Sequence, residues 1–457
     1  MTATQAGEAE LLRGLLKTPA YRKTLVLCAL IGIPVSLVCF WFLAGLDELQ
    51  HLLWESLPHG LGWEAAPWWW PLPLLLVAGV VVGWVAARLP GAGGHVPADG
   101  LAMGGASTKV LPGVLVAATA SLPLGAVLGP EAPLIALGGG LALLLRDLAR
   151  GPGTPQASVL MGVAGAAAAI SVIFGSPLIA AVLLIEVVGV GGPQLVAVML
   201  PALLSSGLGA LVFTGFGRWT GLKTGGLTVK IPGPVPRLDA ADVGWGLLLA
   251  VAVAVVLRLA VGVGQGVAAF VTRQTVARTA LCALGAGGCA AVYALATDRS
   301  PAEVASSGQA LMGPMVGNPH AWGVGVLVAV LLCKTAAYAL CLGSLRGGPI
   351  FPALFLGAAA GVLAAPLPGL GVVPAVAAGL AAAGASVLRL PVSSAVMALL
   401  LVDSLAMTPV VILATVAALV TAELLPVGRG RRRPEQPEGP QGPQEPQEPQ
   451  APAGQRA

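Results

Sequence analysis

Charge is what this sequence has least of. Only 10% of its 457 residues are Asp, Glu, Lys or Arg, against about 25% in soluble domains. So little charge excludes an ordinary soluble domain, and a net charge of +4 concentrated at the chain ends offers no patch for nucleic acid. Histidine is scarce too. No histidine cluster accompanies the six cysteines (Cys28, Cys39, Cys282, Cys289, Cys333, Cys341), which lie in apolar runs without a CxxC spacing. Metal ligation is therefore not expected, no cofactor is implied, and the thiols read as small buried hydrophobes. An intramembrane enzyme would need a nucleophile or metal set beside an acid or base. No His-x-x-x-His, Ser/Lys or paired-Asp arrangement stands within the apolar runs, so catalysis is not expected.

What remains is hydrophobic. Apolar residues make up 56% of the chain, glycine contributes 63 positions, and mean hydropathy is +0.89. These describe a multi-pass, all-α integral membrane protein whose helices approach closely through small residues. Residues 1–427 are expected to form the membrane domain. The Pro-, Gln- and Glu-rich residues 428–457 are expected to be a disordered tail. Met1 to Ala20 shows no cleavable leader, and Leu11 to Leu16 reads as a short helix lying on the membrane. Arg13, Lys17, Arg22 and Lys23 precede the first span, while Arg429, Arg431, Arg432 and Arg433 follow the last. By the positive-inside rule both termini are cytoplasmic and the number of full crossings is even. Trp54, Trp63, Trp68, Trp69 and Trp70 suggest an interfacial belt. Lys334 and Arg258 read as snorkelling or paired structural cations.

Glu131 is the exceptional residue. It lies in Val127-Leu128-Gly129-Pro130-Glu131-Ala132-Pro133 between long apolar runs. An acidic residue at mid-membrane costs roughly 2.5 to 3.5 kcal/mol on insertion scales, so it faces a cavity or pathway. The flanking prolines and glycine imply an interrupted helix, which a membrane tolerates where backbone lines protein or water. A helix starting there directs free N–H groups and its positive dipole end into the gap. Anion affinity follows, with Glu131 as a competing gate.

A second stretch has the same order. Gly129 to Pro133 is followed by Gly162-Val163-Ala164-Gly165-Ala166 and Ser176-Pro177. Gly348 to Pro352 is followed by Gly379-Leu380-Ala381-Ala382-Ala383 and Pro391. Many apolar runs hold only 10 to 14 residues, too short for the roughly 30 Å hydrocarbon core. Short interrupted helices in corresponding places suggest an inverted repeat, roughly 20–217 and 240–425, whose helix starts converge on a site.

These residues resemble the CLC family of chloride channels and proton-coupled anion exchangers, from about Thr24 to Leu425. Gly129-Pro130-Glu131-Ala132-Pro133 is similar to the family's Gly-Arg/Lys-Glu-Gly-Pro. Gly348-Pro349-Ile350-Phe351-Pro352 is similar to Gly-x-Phe-x-Pro, with Leu342 to Ser344 ahead of it. Gly93-Gly94-His95-Val96-Pro97 lines up with Gly-Ser-Gly-Ile-Pro. The resemblance implies a CLC-like inverted repeat of broken, tilted helices, a homodimer in the cell membrane, and one pore per subunit. It implies chloride or a related small anion as cargo, with Glu131 as gate. The anion site would lie near Gly94, His95, Gly129, Pro130, Ala132, Gly348, Ile350 and Phe351.

Departures from the family keep other readings open. Gly94 replaces the chloride-coordinating serine, and Asp403-Ser404-Leu405 aligns with an ion-facing tyrosine that is missing; the chain's tyrosines are Tyr21, Tyr293 and Tyr338. Glu186 stands at the first position of an exchanger Glu-Glu pair, a candidate step in a proton path, while Val187 occupies the internal proton acceptor's place. A proton-coupled chloride or fluoride antiporter is the alternative, and a transport-inactive scaffold a more distant one.

Overall fold

The computed structural model describes residues 13–14, 16–101, 107–149, 154–188, 192–220 and 238–425. Half of the expected N-terminal surface helix (residues 11, 12 and 15), the Arg429 to Arg433 cluster and the tail at 428–457 lie outside the described residues.

The described chain is helical, with one isolated β-bridge. Its main helices are α1 (Pro19–His51), α2 (Pro71–Arg88), α3 (Leu111–Ser121), α4 (Glu131–Leu148), α5 (Pro155–Phe174), α6 (Pro177–Val188), α7 (Gly192–Thr220) and α8 (Ala240–Val271). They are followed by α9 (Thr275–Thr297), α10 (Gln309–Gly317), α11 (Val324–Ser344), α12 (Ile350–Ala364), α13 (Val372–Leu388), α14 (Pro391–Val402) and α15 (Thr408–Leu424). Among the described residues, 8 helical segments are long and apolar enough to cross a membrane. Leu30, Trp84, Leu211, Leu259, Leu332 and Val416 expose large apolar side chains, as helices facing lipid require. This is a multi-pass membrane protein.

Proline and left-handed residues mark where helices begin and end. Pro112 lies in the first turn of α3, where its missing N–H leaves no intrahelical bond unmade. Pro112 therefore marks a helix start rather than a break. Gly175 (φ 64°) closes α5 two residues before Pro177 opens α6. Arg389 (φ 57°) closes α13 two residues before Pro391 opens α14.

Packing repeats this correspondence. α4 crosses α5 where Gly138 meets Gly165, and α12 crosses α13 where Gly357 meets Gly379. At each crossing a Cβ would strike the facing glycine's carbonyl, so glycine is what permits the approach. α1 packs on α4, α5 and α7, and α8 packs likewise on α12, α13 and α15. α6 lies against α5 and α7 as α14 does against α13 and α15. α12 and α13 are buried around most of their circumference, which places them at the centre of the molecule.

The tryptophans are not one belt. Trp63, Trp69 and Trp70 pack edge-to-face at 5.6 to 5.7 Å, and Trp68 is exposed. Trp54 is buried, and its indole N–H donates to the Pro123 carbonyl at 3.0 Å. Its ring lies over Gly125 (φ 105°), where a Cβ would meet it. Trp54 thus holds the turn leading to Glu131 rather than anchoring in headgroups.

Gly379→Leu should force α12 and α13 apart. The expected loss is at least the roughly 1 to 3 kcal/mol of an overpacked core, read as a lower melting temperature of detergent-purified protein. Gly162→Ala, which adds a Cβ where no atom lies within 4 Å, should melt within about 1 kcal/mol of the parent. Equal melting of the two variants would contradict the packing described.

Candidate functional site

Two helix starts meet at the centre of the molecule. Pro130 is the N-cap of α4 and Pro349 the N-cap of α12, each preceded by a glycine. Gly129 N–H donates to the Gly348 carbonyl at 2.7 Å, and Gly348 N–H donates to the Gly129 carbonyl at 2.5 Å. This antiparallel bridge fixes one helix start against the other. The Tyr338 hydroxyl, buried on α11, donates to the Pro349 carbonyl at 2.8 Å.

Glu131, the first residue of α4, turns its side chain onto α12. It is 0% exposed, and Oε1 accepts the Phe351 backbone N–H at 2.7 Å. Oε2 is buried and makes no hydrogen bond of normal geometry among the described residues. The carboxyl therefore lies between two positive helix ends, on an amide that would serve equally well for a free anion. Glycine makes this possible: a Cβ on Gly129 or Gly348 would overlap the carboxyl group. Phe351 is held from behind by Phe174, ring centroids 5.5 Å apart.

A cavity of about 240 Å³ adjoins this pair of helix starts. Gly91, Gly94 and His95 line one side, Ala132 and Pro133 of α4 another, and Arg346 a third. Gly91 and Gly94 have φ of 73° and 105°, and a Cβ on Gly91 would collide with Val110. This turn needs glycine for both conformation and space.

The residues singled out in the sequence thus fall around one place, with one exception. Gly129, Pro130, Glu131, Gly348, Ile350 and Phe351 form the paired helix starts, while Gly94, His95 and Ala132 line the adjoining cavity. Glu186 lies elsewhere. Its carboxylate accepts the Val392 and Ser393 backbone N–H groups at 2.8 and 2.6 Å, capping α14. The Asp403 to Leu405 segment is a turn closed by the left-handed Asp403 (φ 52°), with Leu405 82% exposed.

Three contributions were not legible as motifs. Tyr338 is 13 residues upstream of Phe351 and reaches backbone rather than a ligand. Arg346 follows the Leu342 to Ser344 stretch and is mostly buried. Lys334 is 0% exposed and does not snorkel. Its ammonium donates to the carbonyls of Glu303, Val304, Ala305 and Ser306 at 2.9 to 3.3 Å, and lies 4.6 Å from the Phe355 ring centroid. Arg258 is buried as well, without an ion pair among the described residues. The loop held by Lys334 reaches the turn before Glu131, since Ser306 N–H donates to the Gly125 carbonyl at 3.0 Å. Arg299 pairs with Glu303 at 2.7 Å in this loop, and that hydrogen bond holds its guanidinium above the usual arginine pKa.

A profile of the voltage gated chloride channel family matches residues 78–423. The chain belongs to that family. Solved structures agree in fold, each over 88% of this chain at 17% identity. They include a slow cyanobacterial Cl⁻/H⁺ antiporter (94% of that chain, TM-score 0.65) and a CLC-type fluoride/proton antiporter (95%, 0.66). A candidate ion-transport protein of Salmonella choleraesuis, YfeO, is 31% identical over 156 residues, 34% of this chain and 37% of that one. The YfeO of Salmonella newport matches over the same shares at 30% identity. The matched stretch therefore spans little more than a third of these relatives' length.

Lys334→Met should leave four carbonyls short of a donor. Each unsatisfied group costs about 1 to 3 kcal/mol, so a loss of about 3 kcal/mol or more is expected, measured as a lower melting temperature. Unchanged melting would mean that the ammonium does not hold the loop.

Proposed function

We propose that this CLC family member carries chloride or a related small anion through a path inside each subunit, with Glu131 as the gate. The observation that carries the reading is the Glu131 carboxyl on the Phe351 amide, between two helix starts. That position suits an anion, and a carboxyl side chain already fills it. Its second oxygen makes no hydrogen bond of normal geometry among the described residues, so the carboxylate is less well satisfied there than in water. Protonation removes the charge that holds it against the helix ends. Protonation, or displacement by an incoming anion, then frees the amide. The backbone N–H groups near Gly94, from Glu131 to Pro133, and at Ile350-Phe351 line the proposed path. With no serine at Gly94, helix dipoles and amides take over from side-chain hydroxyls.

The halves at roughly 20–217 and 240–425 are read as an inverted repeat. Matching neighbours on both sides support this, as does the Gly129/Gly348 bridge, because an antiparallel pair has a local two-fold axis. Cytoplasmic termini and a homodimer in the lipid bilayer belong to the same reading.

Proton-coupled antiport of chloride or fluoride is the second reading. It is favoured by the Cl⁻/H⁺ and fluoride/proton antiporters that share the fold and by a gate that itself binds a proton. Glu186 is a weaker candidate for a proton path, because both its oxygens cap α14.

Proteoliposome efflux with chloride, fluoride, bromide and nitrate, with and without a proton gradient, tests these readings. Flux by the parent protein should rise several-fold as pH falls, since acid neutralises the gate. Glu131→Gln and Glu131→Ala should remove that dependence. Uphill proton movement driven by the anion gradient would identify an antiporter, and conductive flux alone a channel. Efflux no faster than from empty liposomes would sink the transport reading in favour of an inactive scaffold. A pH response that survives in both variants would remove Glu131 as gate.

A further inference from the structure

Arg258 is a buried charge for which the anion path has no use. It lies in the middle of α8, is 8% exposed, and forms no ion pair among the described residues. Its Nε is sealed from solvent without a hydrogen-bond partner. An arginine within a membrane-spanning helix is rare, and it pairs with another group or marks a functional site. Burial leaves this one short of the negative charge that would compensate its lost hydration.

The charges that face it show where the deficit opens. They are the Arg389 guanidinium and the Glu423 carboxylate, which act on Arg258 through space. Arg389 closes α13 with a left-handed backbone (φ 57°), and Glu423 is the second-last residue of α15. These two side chains meet at 3.3 Å while 43% and 55% exposed, a half-solvated ion pair of the weak kind. One carboxylate between two guanidiniums leaves one positive charge over.

The surroundings of the cluster are apolar. Leu259, next to Arg258, and Val420 and Leu424, flanking Glu423, all expose large hydrocarbon side chains. Two helix ends with half-exposed charges, bordered by bare hydrocarbon, belong at the boundary between headgroups and acyl chains. A phospholipid satisfies both parts at once. Its phosphate oxygens accept from guanidinium in the planar, two-pronged geometry that arginine favours, and its acyl chains cover the apolar side chains. Basic pockets between membrane helices take anionic headgroups in this manner.

We propose that α8, α13 and α15 form a binding site for the phosphate headgroup of an anionic phospholipid. Arg258 and Arg389 are its ligands, and Glu423 is a built-in competitor that holds Arg389 until the phosphate arrives. The site shares no residue with the gate or its cavity, so it stands or falls independently of the transport reading.

The test uses full-length, delipidated protein in detergent, titrated with phosphatidylglycerol or phosphatidylcholine, with bound lipid counted by native mass spectrometry. The parent should bind phosphatidylglycerol at least tenfold more tightly than phosphatidylcholine. Arg258→Gln should weaken the tightest phosphatidylglycerol binding at least tenfold. Glu423→Gln should strengthen it threefold or more by removing the competing carboxylate. A merely structural role for the cluster would not produce opposite shifts. Glu423→Gln changes a half-exposed side chain and decides the matter if the arginine variant does not fold. Equal binding of the two lipids by the parent, or parent affinity for phosphatidylglycerol in either folded variant, would overturn the site. Inorganic phosphate that raises the parent's melting temperature as much as phosphatidylglycerol at equal concentration would overturn the lipid as its occupant.

Discussion

Everything in this molecule turns on a pair of backbone hydrogen bonds between Gly129 and Gly348. Through them, residues over two hundred positions apart bring two helix starts close enough to share one electrostatic site. Each start offers unpaired N–H groups and a partial positive charge. A membrane interior leaves that potential unscreened, so the junction needs a negative partner. Glu131 is the resident one. Its carboxyl reaches the Phe351 amide because neither glycine has a side chain in the way.

The surroundings keep this junction in place. Gly138 against Gly165 and Gly357 against Gly379 bring α4 onto α5 and α12 onto α13 at backbone contact. Trp54, Tyr338 and Lys334 then fix the non-helical connections by donating to carbonyls of Pro123, Pro349 and residues 303–306. In lipid such connections have no water to satisfy them, so side chains must. That explains a lysine at 0% exposure in a chain with so few charges.

Much of this was legible in the sequence because membrane constraints are strong. Low charge and high hydropathy gave the class. Glu131 stood out by its cost in an apolar run, and the Gly-Pro pairs located both helix starts. The Gly162 and Gly379 stretches marked the helix crossings. Other features depended on three-dimensional contacts that spacing does not encode. Lys334 read as a snorkelling cation because its acceptors are thirty residues away, on a loop without a motif. Trp54 read as an interface anchor until its indole proved to hold the Pro123 carbonyl. Glu186 resembled part of a proton path, yet its oxygens cap a helix from the other half of the chain. Arg346 had no flanking signal at all, since the Ala92 carbonyl that its guanidinium reaches lies more than two hundred positions upstream.

The central claim is that the Glu131 carboxyl and a permeating anion occupy the same place on the Phe351 amide. Chloride binding to detergent-purified parent protein and to Glu131→Ala, compared by calorimetry at neutral pH, tests it most directly. The account predicts one additional chloride per subunit in the variant, and convergence of the two proteins as acid releases the parent's side chain. Equal stoichiometry and affinity in both proteins at neutral pH would contradict it.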